Sequence, residues 1–151
     1  MQYEMGKERI INEEFLKFGY RNVVKWDVVE VKKNQKMCVR IISTNSKYLQ
    51  GIRLAIDTGE GLLTVNDIKS KGIQLWEDTC PLEANLECTS SEGKMSVYNI
   101  FNISQGIGGV RSQTDSCGML IEREGNKIVY RCNDAGFQTN FDKLVFEIVL
   151  F

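Results

Sequence analysis

Oxygen-bearing side chains are densest near the end of the chain, in Asn133-Asp134-Ala135-Gly136-Phe137-Gln138-Thr139-Asn140-Phe141-Asp142. A hard cation such as calcium takes about six to eight oxygen ligands, and Asn133, Asp134, Asn140 and Asp142, with nearby backbone carbonyls, form a candidate set for one. Only Asp134 and Asp142 are anionic, and the spacing does not match an EF-hand loop. Asparagine and aspartate also build turns by bonding their own backbone, so turn chemistry is the plainer reading of the same stretch.

A second group is Trp76-Glu77-Asp78. Tryptophan stacks on sugars, and glycoside hydrolysis needs only two carboxylates at the right separation. Neighbours on an extended strand point to opposite faces, so Glu77 and Asp78 can act together only if Thr79-Cys80-Pro81 turns the chain. The glycine-rich run from Asn102 to Arg111 lacks the Gly-Lys-Ser/Thr ending of a phosphate loop and the GxGxxG order of a dinucleotide site. It reads as a connection whose glycines supply positive φ. Its polar residues Gln105 and Arg111, with Gln113 just beyond and Trp76 elsewhere, make a candidate set of binding residues.

The chain has no histidine, which removes Ser-His-Asp and Cys-His nucleophiles, HExxH zinc sites and any imidazole proton carrier. No catalytic residue is assigned on this basis. The five cysteines, Cys38, Cys80, Cys88, Cys117 and Cys132, show no CxxC spacing, and four fall in strand-like patterns. Reduced, buried thiols are therefore expected, not zinc ligands or a disulfide framework. Cys117, beside Gly118 and after Ser112-Gln-Thr-Asp-Ser116, is expected to be the most accessible of them.

At 151 residues and a net charge of -1, the chain suits one domain, residues 1–151, with no global field to attract nucleic acid or anionic lipid. The densest basic cluster, Val31-Lys32-Lys33-Asn34-Gln35-Lys36, reads as a turn between strands. No signal peptide and no apolar run of about 20 residues is visible, so a cytoplasmic location is expected and no membrane contact.

Period-two alternation dominates what remains. Arg21–Val31, Met37–Ser43, Tyr48–Ile56, Leu62–Val65, Gly72–Trp76, Leu82–Cys88, Met95–Ile103, Cys117–Arg123, Lys127–Cys132 and Lys143–Phe151 read as strands. In the sixth, Leu82, Ala84, Leu86 and Cys88 are expected to face inward. Ser90-Ser91-Glu92-Gly93 and Glu124-Gly125-Asn126 read as hairpin turns. Residues Lys7 to Phe18 place Ile10, Ile11, Phe15 and Phe18 at helical spacing before Gly19, so residues 1–19 are expected to form a short helix or arm. So many strands in one open sheet would leave large apolar faces wet, which predicts an antiparallel β-sandwich or a flattened barrel.

Cys132-Asn-Asp134 followed by Asn140-Phe-Asp-Lys-Leu-Val-Phe146 resembles the ending of several bacterial β-sandwich modules, whose last strand follows a D-F-D/N-D-L-V-F motif. The resemblance implies that Phe141, Leu144, Val145 and Phe146 are core residues and that Asp134 and Asp142 are loop acids. In some groups this region binds calcium or sugar. This chain has Asn140 and Lys143 where the pattern usually has acids. With no cofactor motif and no catalytic constellation, the leading expectation is a non-enzymatic bacterial protein that binds another protein, of the immunity or inhibitor type. The alternative is a calcium-assisted carbohydrate-binding module, with Trp76 or Tyr98 as a stacking platform.

Overall fold

Where apolar and polar residues alternate, one face of an extended chain must be buried, and the computed structural model shows how these faces meet. It describes residues 5–104, 109–137 and 139–151. The strands are β1 (Ile10–Ile11), β2 (Val24–Glu30), β3 (Gln35–Thr44), β4 (Leu49–Ala55), β5 (Gly61–Val65), β6 (Ile68–Ser70), β7 (Gly72–Trp76), β8 (Ala84–Ser90), β9 (Lys94–Asn102), β10 (Val110–Ser112), β11 (Gly118–Glu124), β12 (Lys127–Asn133) and β13 (Leu144–Leu150). All pair antiparallel, in the order β6-β5-β8-β3-β13-β12-β11-β2-β9-β4-β7, with β1 on β2 and β10 on β9. The sheet is nearly closed into a barrel, confirming an all-β fold. No helix among the described residues is long and apolar enough to cross a membrane.

The inward rows meet in one core. Ile52 and Leu54 of β4, Met95 and Val97 of β9, and Leu144, Phe146 and Ile148 of β13 are almost completely buried. The Tyr130 and Phe146 rings stack with centroids 4.6 Å apart. β13 lies between β12 and β3 and is buried on both faces. Its one charged side chain, Glu147, is held by Arg40 at 2.8 Å and Lys127 at 3.2 Å.

Several expectations need correction. The inward row of β8 begins at Ala84, because Leu82 precedes the strand and is 93% exposed. Ser90–Gly93 is not a hairpin: β8 pairs with β3 and β5, whereas β9 pairs with β2, β4 and β10. Turn residues mark where a chain can reverse but do not choose the partner of the next strand. Glu124-Gly125-Asn126 does close a hairpin, with Glu124 opposite Lys127.

The segment Lys7–Phe18 is not one amphipathic helix. Ile10–Ile11 pair with β2, and only Glu13–Phe18 turn, as a 3-10 helix. Asn12 decides the break. Its side-chain oxygen accepts from the Glu14 N–H at 3.0 Å, while its amide donates to the carbonyls of Cys117 at 2.6 Å and Asp115 at 2.9 Å. Gly19 ends the helix in the left-handed region, as its type suggests. Phe15 is buried with Val23 and Phe141, while Phe18 stays 44% exposed.

All five cysteines are free, and Cys117 is fully buried, contrary to its expected exposure. The polar stretch before it folds over the thiol, and Thr114 contacts the sulfur at 3.1 Å. Burial pushes the Cys117 thiol up from its ordinary value and that of Cys88 up to about 11. Cys80, half-buried, is the most accessible of the five.

Candidate functional site

A cleft of about 1110 Å³ lies over the end of β4, β7 and β10. Ile52 and Leu54 point into the core, so Gly51 lies on the opposite face of β4, where it pairs with Trp76. A Cβ added at Gly51 would lie 2.7 Å from Trp76 Cε3 and 3.0 Å from Ile100 Cγ1. The indole therefore rests directly on the glycine backbone. Glycine inside a strand often marks such a close approach.

Beyond Trp76 the chain turns. The N–H groups of Thr79 and Cys80 both donate to the Trp76 carbonyl, at 3.1 Å and 2.7 Å. This turn brings Glu77 and Asp78 to the same cleft, which a continuing strand would not do. Glu77 is anchored to β4: its N–H donates to the Gln50 carbonyl at 3.0 Å, and its Oε1 accepts from the Gln50 N–H at 3.4 Å. Ser46, Lys47 and Tyr48 from the β3–β4 connection also line the cleft. The Lys47 Nζ sits 5.1 Å over the Tyr48 ring, which packs 5.9 Å from Phe101.

Behind Ser46 lies a set of buried, hydrogen-bonded polar side chains. Asp134 is 2% exposed, and its Oδ2 accepts from Ser46 Oγ and, at 2.8 Å, from Gln50 Nε2. Its backbone carbonyl accepts from Ser116 Oγ at 2.9 Å. The Asn133 amide donates to the carbonyls of Ser116 and Gly136, and the Asn99 amide donates to the Asn133 carbonyl at 2.9 Å. Gln50 and Asn99 stand diagonally on the paired strands β4 and β9, because Gln50 faces Phe101 and Ile52 faces Asn99.

The four residues expected to ligate calcium therefore separate into two groups. Asn133 and Asp134 are both buried at the end of β12, the first bonded to the Ser116 and Gly136 carbonyls and the second to Ser46 and Gln50. Asp142 accepts from Asn45 Nδ2 at 2.7 Å, and Asn140 is exposed. Each aspartate ties its loop to the β3–β4 connection. Of the expected binding residues, Trp76 lines the cleft, as does Val110, the neighbour of Arg111. Arg111 is exposed on β10, and Gln113, at φ 56°, turns its amide to Met5 Sδ at 3.7 Å. Gln105 lies outside the described residues. Tyr98 is half-buried beside Arg53 and does not line the cleft; burial raises its pKa, and the guanidinium opposes that rise.

Gln50, Gly51, Asn99 and Ser46 were not singled out by sequence reasoning, although two carry a readable signal. Gln50 interrupts the inward row Tyr48, Ile52, Leu54, and Asn99 interrupts Met95, Val97, Phe101. A polar residue on an inward parity requires a buried partner. No protein-family model matches the chain, and no curated protein is similar to it.

Proposed function

We propose that the chain is a non-catalytic binding protein whose Trp76 cleft takes a neutral saccharide. The supporting observation is an indole seated on Gly51 and bordering a cleft edged by carboxylate, hydroxyl and ammonium groups. A pyranose ring has an apolar face of C–H groups and a rim of hydroxyls. An aromatic plate with convergent polar groups at its margin matches both. Carboxylates accept from hydroxyls and an ammonium donates to them, so Glu77, Asp78 and Lys47 can all serve one neutral polyol. The opposed charges of Lys47 and the acid pair favour an uncharged ligand over an ionic one.

A binding role fits better than hydrolysis. The cleft's two carboxylates, Glu77 and Asp78, are adjacent in one turn, and the other lining residues carry no acid. Cleavage of a glycosidic bond needs carboxyl groups flanking it.

The direct test is indole fluorescence. Trp26 is 8% exposed, so Trp26→Phe leaves Trp76 as the sole indole reporter. Titration with a panel of neutral oligosaccharides is expected to give saturable quenching or a blue shift. If no member of the panel changes the spectrum, and a glycan array is also silent, the saccharide reading fails.

A second reading, binding to another protein, rests on a separate surface. Phe18 and Phe137 are 44% and 36% exposed, with ring centroids 5.4 Å apart, and Leu16 of the same 3-10 helix as Phe18 is 50% exposed. Lys17 Nζ lies 4.9 Å from the Phe137 ring centre. Exposed aromatics beside a cation are what protein interfaces concentrate. Phe18→Ser with Phe137→Ser is expected to leave the fold intact and to abolish co-purification of a stoichiometric partner from the source cell. Recovery of no partner by the unaltered chain would count against this reading.

A further inference from the structure

Sheet register fixes the direction in which the cleft runs. Residues directly opposite one another in paired strands share a face of the sheet, as do positions two apart along a strand. Leu49, two residues before Gly51, therefore stands on the same outward face as Gly51 and Trp76. Asn102 lies opposite Leu49 on β9, and Val110 lies opposite Asn102 on β10. Trp76, Leu49, Asn102 and Val110, from four different strands, all line the cleft. Ile100 and Asn102 pair with β4 along one edge of β9 and with β10 along the other, so the floor crosses the strands in the order β7-β4-β9-β10. Three steps of about 4.8 Å make that floor roughly 14 Å long.

The ends of the floor differ in what they offer. At the β7 end the indole rests on Gly51, and the turn beyond it carries Glu77, Asp78 and Thr79. At the other end the β9–β10 connection adds Ile103 and Ser104, held beside β10 by the Ile103 N–H, which donates to the Gly109 carbonyl at 3.0 Å. Val110 and Ile103 are 39% and 44% exposed, an apolar surface that packing within the chain leaves open. Among the described residues, none that β9, β10 and their connection contribute to the lining is charged. The volume of about 1110 Å³ exceeds the roughly 300–1,000 Å³ that encloses a drug-sized ligand. A single pyranose ring on Trp76 would leave Val110 and Ile103 bare.

We propose that the ligand is a neutral oligosaccharide, not a monosaccharide, and that it crosses the strands from a first ring on Trp76 to a further ring on Val110 and Ile103. This rests on the saccharide reading of the cleft and adds the ligand's length and direction. Burial of C–H surface is non-directional, so aliphatic side chains can carry the further ring where no aromatic plate is present. Asn102 and Ser104 stand at the same end, where the hydroxyls of that ring fall. The two ends thereby divide the work: the indole and the acid turn orient the first ring, and the β9–β10 end measures the length of the chain.

The experiment is calorimetric titration of the full chain with mono-, di-, tri- and tetrasaccharides of each polymer in the panel, fragments of cellulose, mannan and starch among them. In the series that binds, the trisaccharide is expected to bind about tenfold tighter than the monosaccharide, with little added by the tetrasaccharide. Val110→Asp is expected to abolish that gain, so that mono- and trisaccharide bind alike, whereas Trp76→Ala weakens every length. Urea unfolding checks that Val110→Asp folds. Should its midpoint fall, Ile103→Ser, which lies just beyond β9, takes its place with the same expected result. Equal affinity of the unaltered chain for mono- and trisaccharide would overturn the proposal and leave the saccharide reading standing. A gain with length that persists in both Val110→Asp and Ile103→Ser would overturn it by placing the further rings elsewhere. Silence toward every length, together with a silent glycan array, would defeat the saccharide reading itself and this inference with it.

Discussion

Trp76→Ala is expected to weaken saccharide binding about thirtyfold, and Gly51→Ala by several-fold with little change in stability. Covering one aromatic face is worth on the order of 2 kcal/mol, and each 1.4 kcal/mol is about a factor of ten in affinity. Gly51→Ala separates platform geometry from platform chemistry. Its new Cβ would fall 2.7 Å from Trp76 Cε3, inside contact distance, so the ring must tilt toward the cleft. Gly51 is not at positive φ, so alanine is conformationally acceptable there and offsets part of the clash by reducing unfolded-chain entropy. Calorimetric titration of each variant with the best saccharide of the panel, beside urea unfolding, checks both halves. If Gly51→Ala binds as tightly as the unaltered chain, the seating of the indole on residue 51 is irrelevant to recognition. If Trp76→Ala does so, the indole is not the platform.

How much of this was legible in the sequence depends on which step of folding is asked about. Alternation is a local property, and it located ten of the strands; β1, β6 and β10, with two or three residues each, are too short to carry it. Leu144, Phe146, Ile148 and Leu150 are buried as their shared parity requires, and Ala84, Leu86 and Cys88 likewise. Pairing is a non-local property. Nothing in Ser90-Ser91-Glu92-Gly93 says that β8 lies beside β3 while β9 lies beside β4, and this arrangement is what brings Asn99 beside Gln50. The cleft was half-legible for the same reason. Trp76, Glu77 and Asp78 are contiguous and could be singled out together. Ser46, which lines the cleft, and Gln50, which bonds both Glu77 and Asp134, come from the β3–β4 connection and the start of β4, placed beside β7 only by sheet register. Helical spacing misled at Ile10 and Ile11 because the stripe was too short for periodicity to outweigh Asn12, whose side chain caps the following turn and bonds two distant carbonyls.

The largest stability effect is expected at Asp27. Almost fully buried on β2, its Oδ2 accepts from the Tyr130 hydroxyl at 2.7 Å, and its Oδ1 accepts from Arg9 Nε and from the Val28 N–H, each at 2.9 Å. Tyr130 is itself wholly buried and stacked on Phe146, so its hydroxyl has no route to water. Asp27→Ala strands that hydroxyl, a cost of about 1–3 kcal/mol for a buried donor, and also removes a charge-assisted bond worth about 1.5–3 kcal/mol. Arg9 is 54% exposed and is rehydrated once freed, which reduces the second contribution. The net expectation is a loss of about 2–4 kcal/mol, seen as a lower urea midpoint with an unchanged slope. Asp27→Asn, which can still accept from Tyr130, is expected to lose less. Tyr130→Phe with Asp27→Ala together should cost less than the sum of the two single changes, because the stranded hydroxyl is gone in the double variant. Strict additivity would mean that Asp27 and Tyr130 act independently, and an unchanged midpoint for Asp27→Ala would mean that the bond between the N-terminal segment and the core carries no stability. A deficit relieved in the double variant would identify the stranded donor, rather than the lost ion pair, as the main cost.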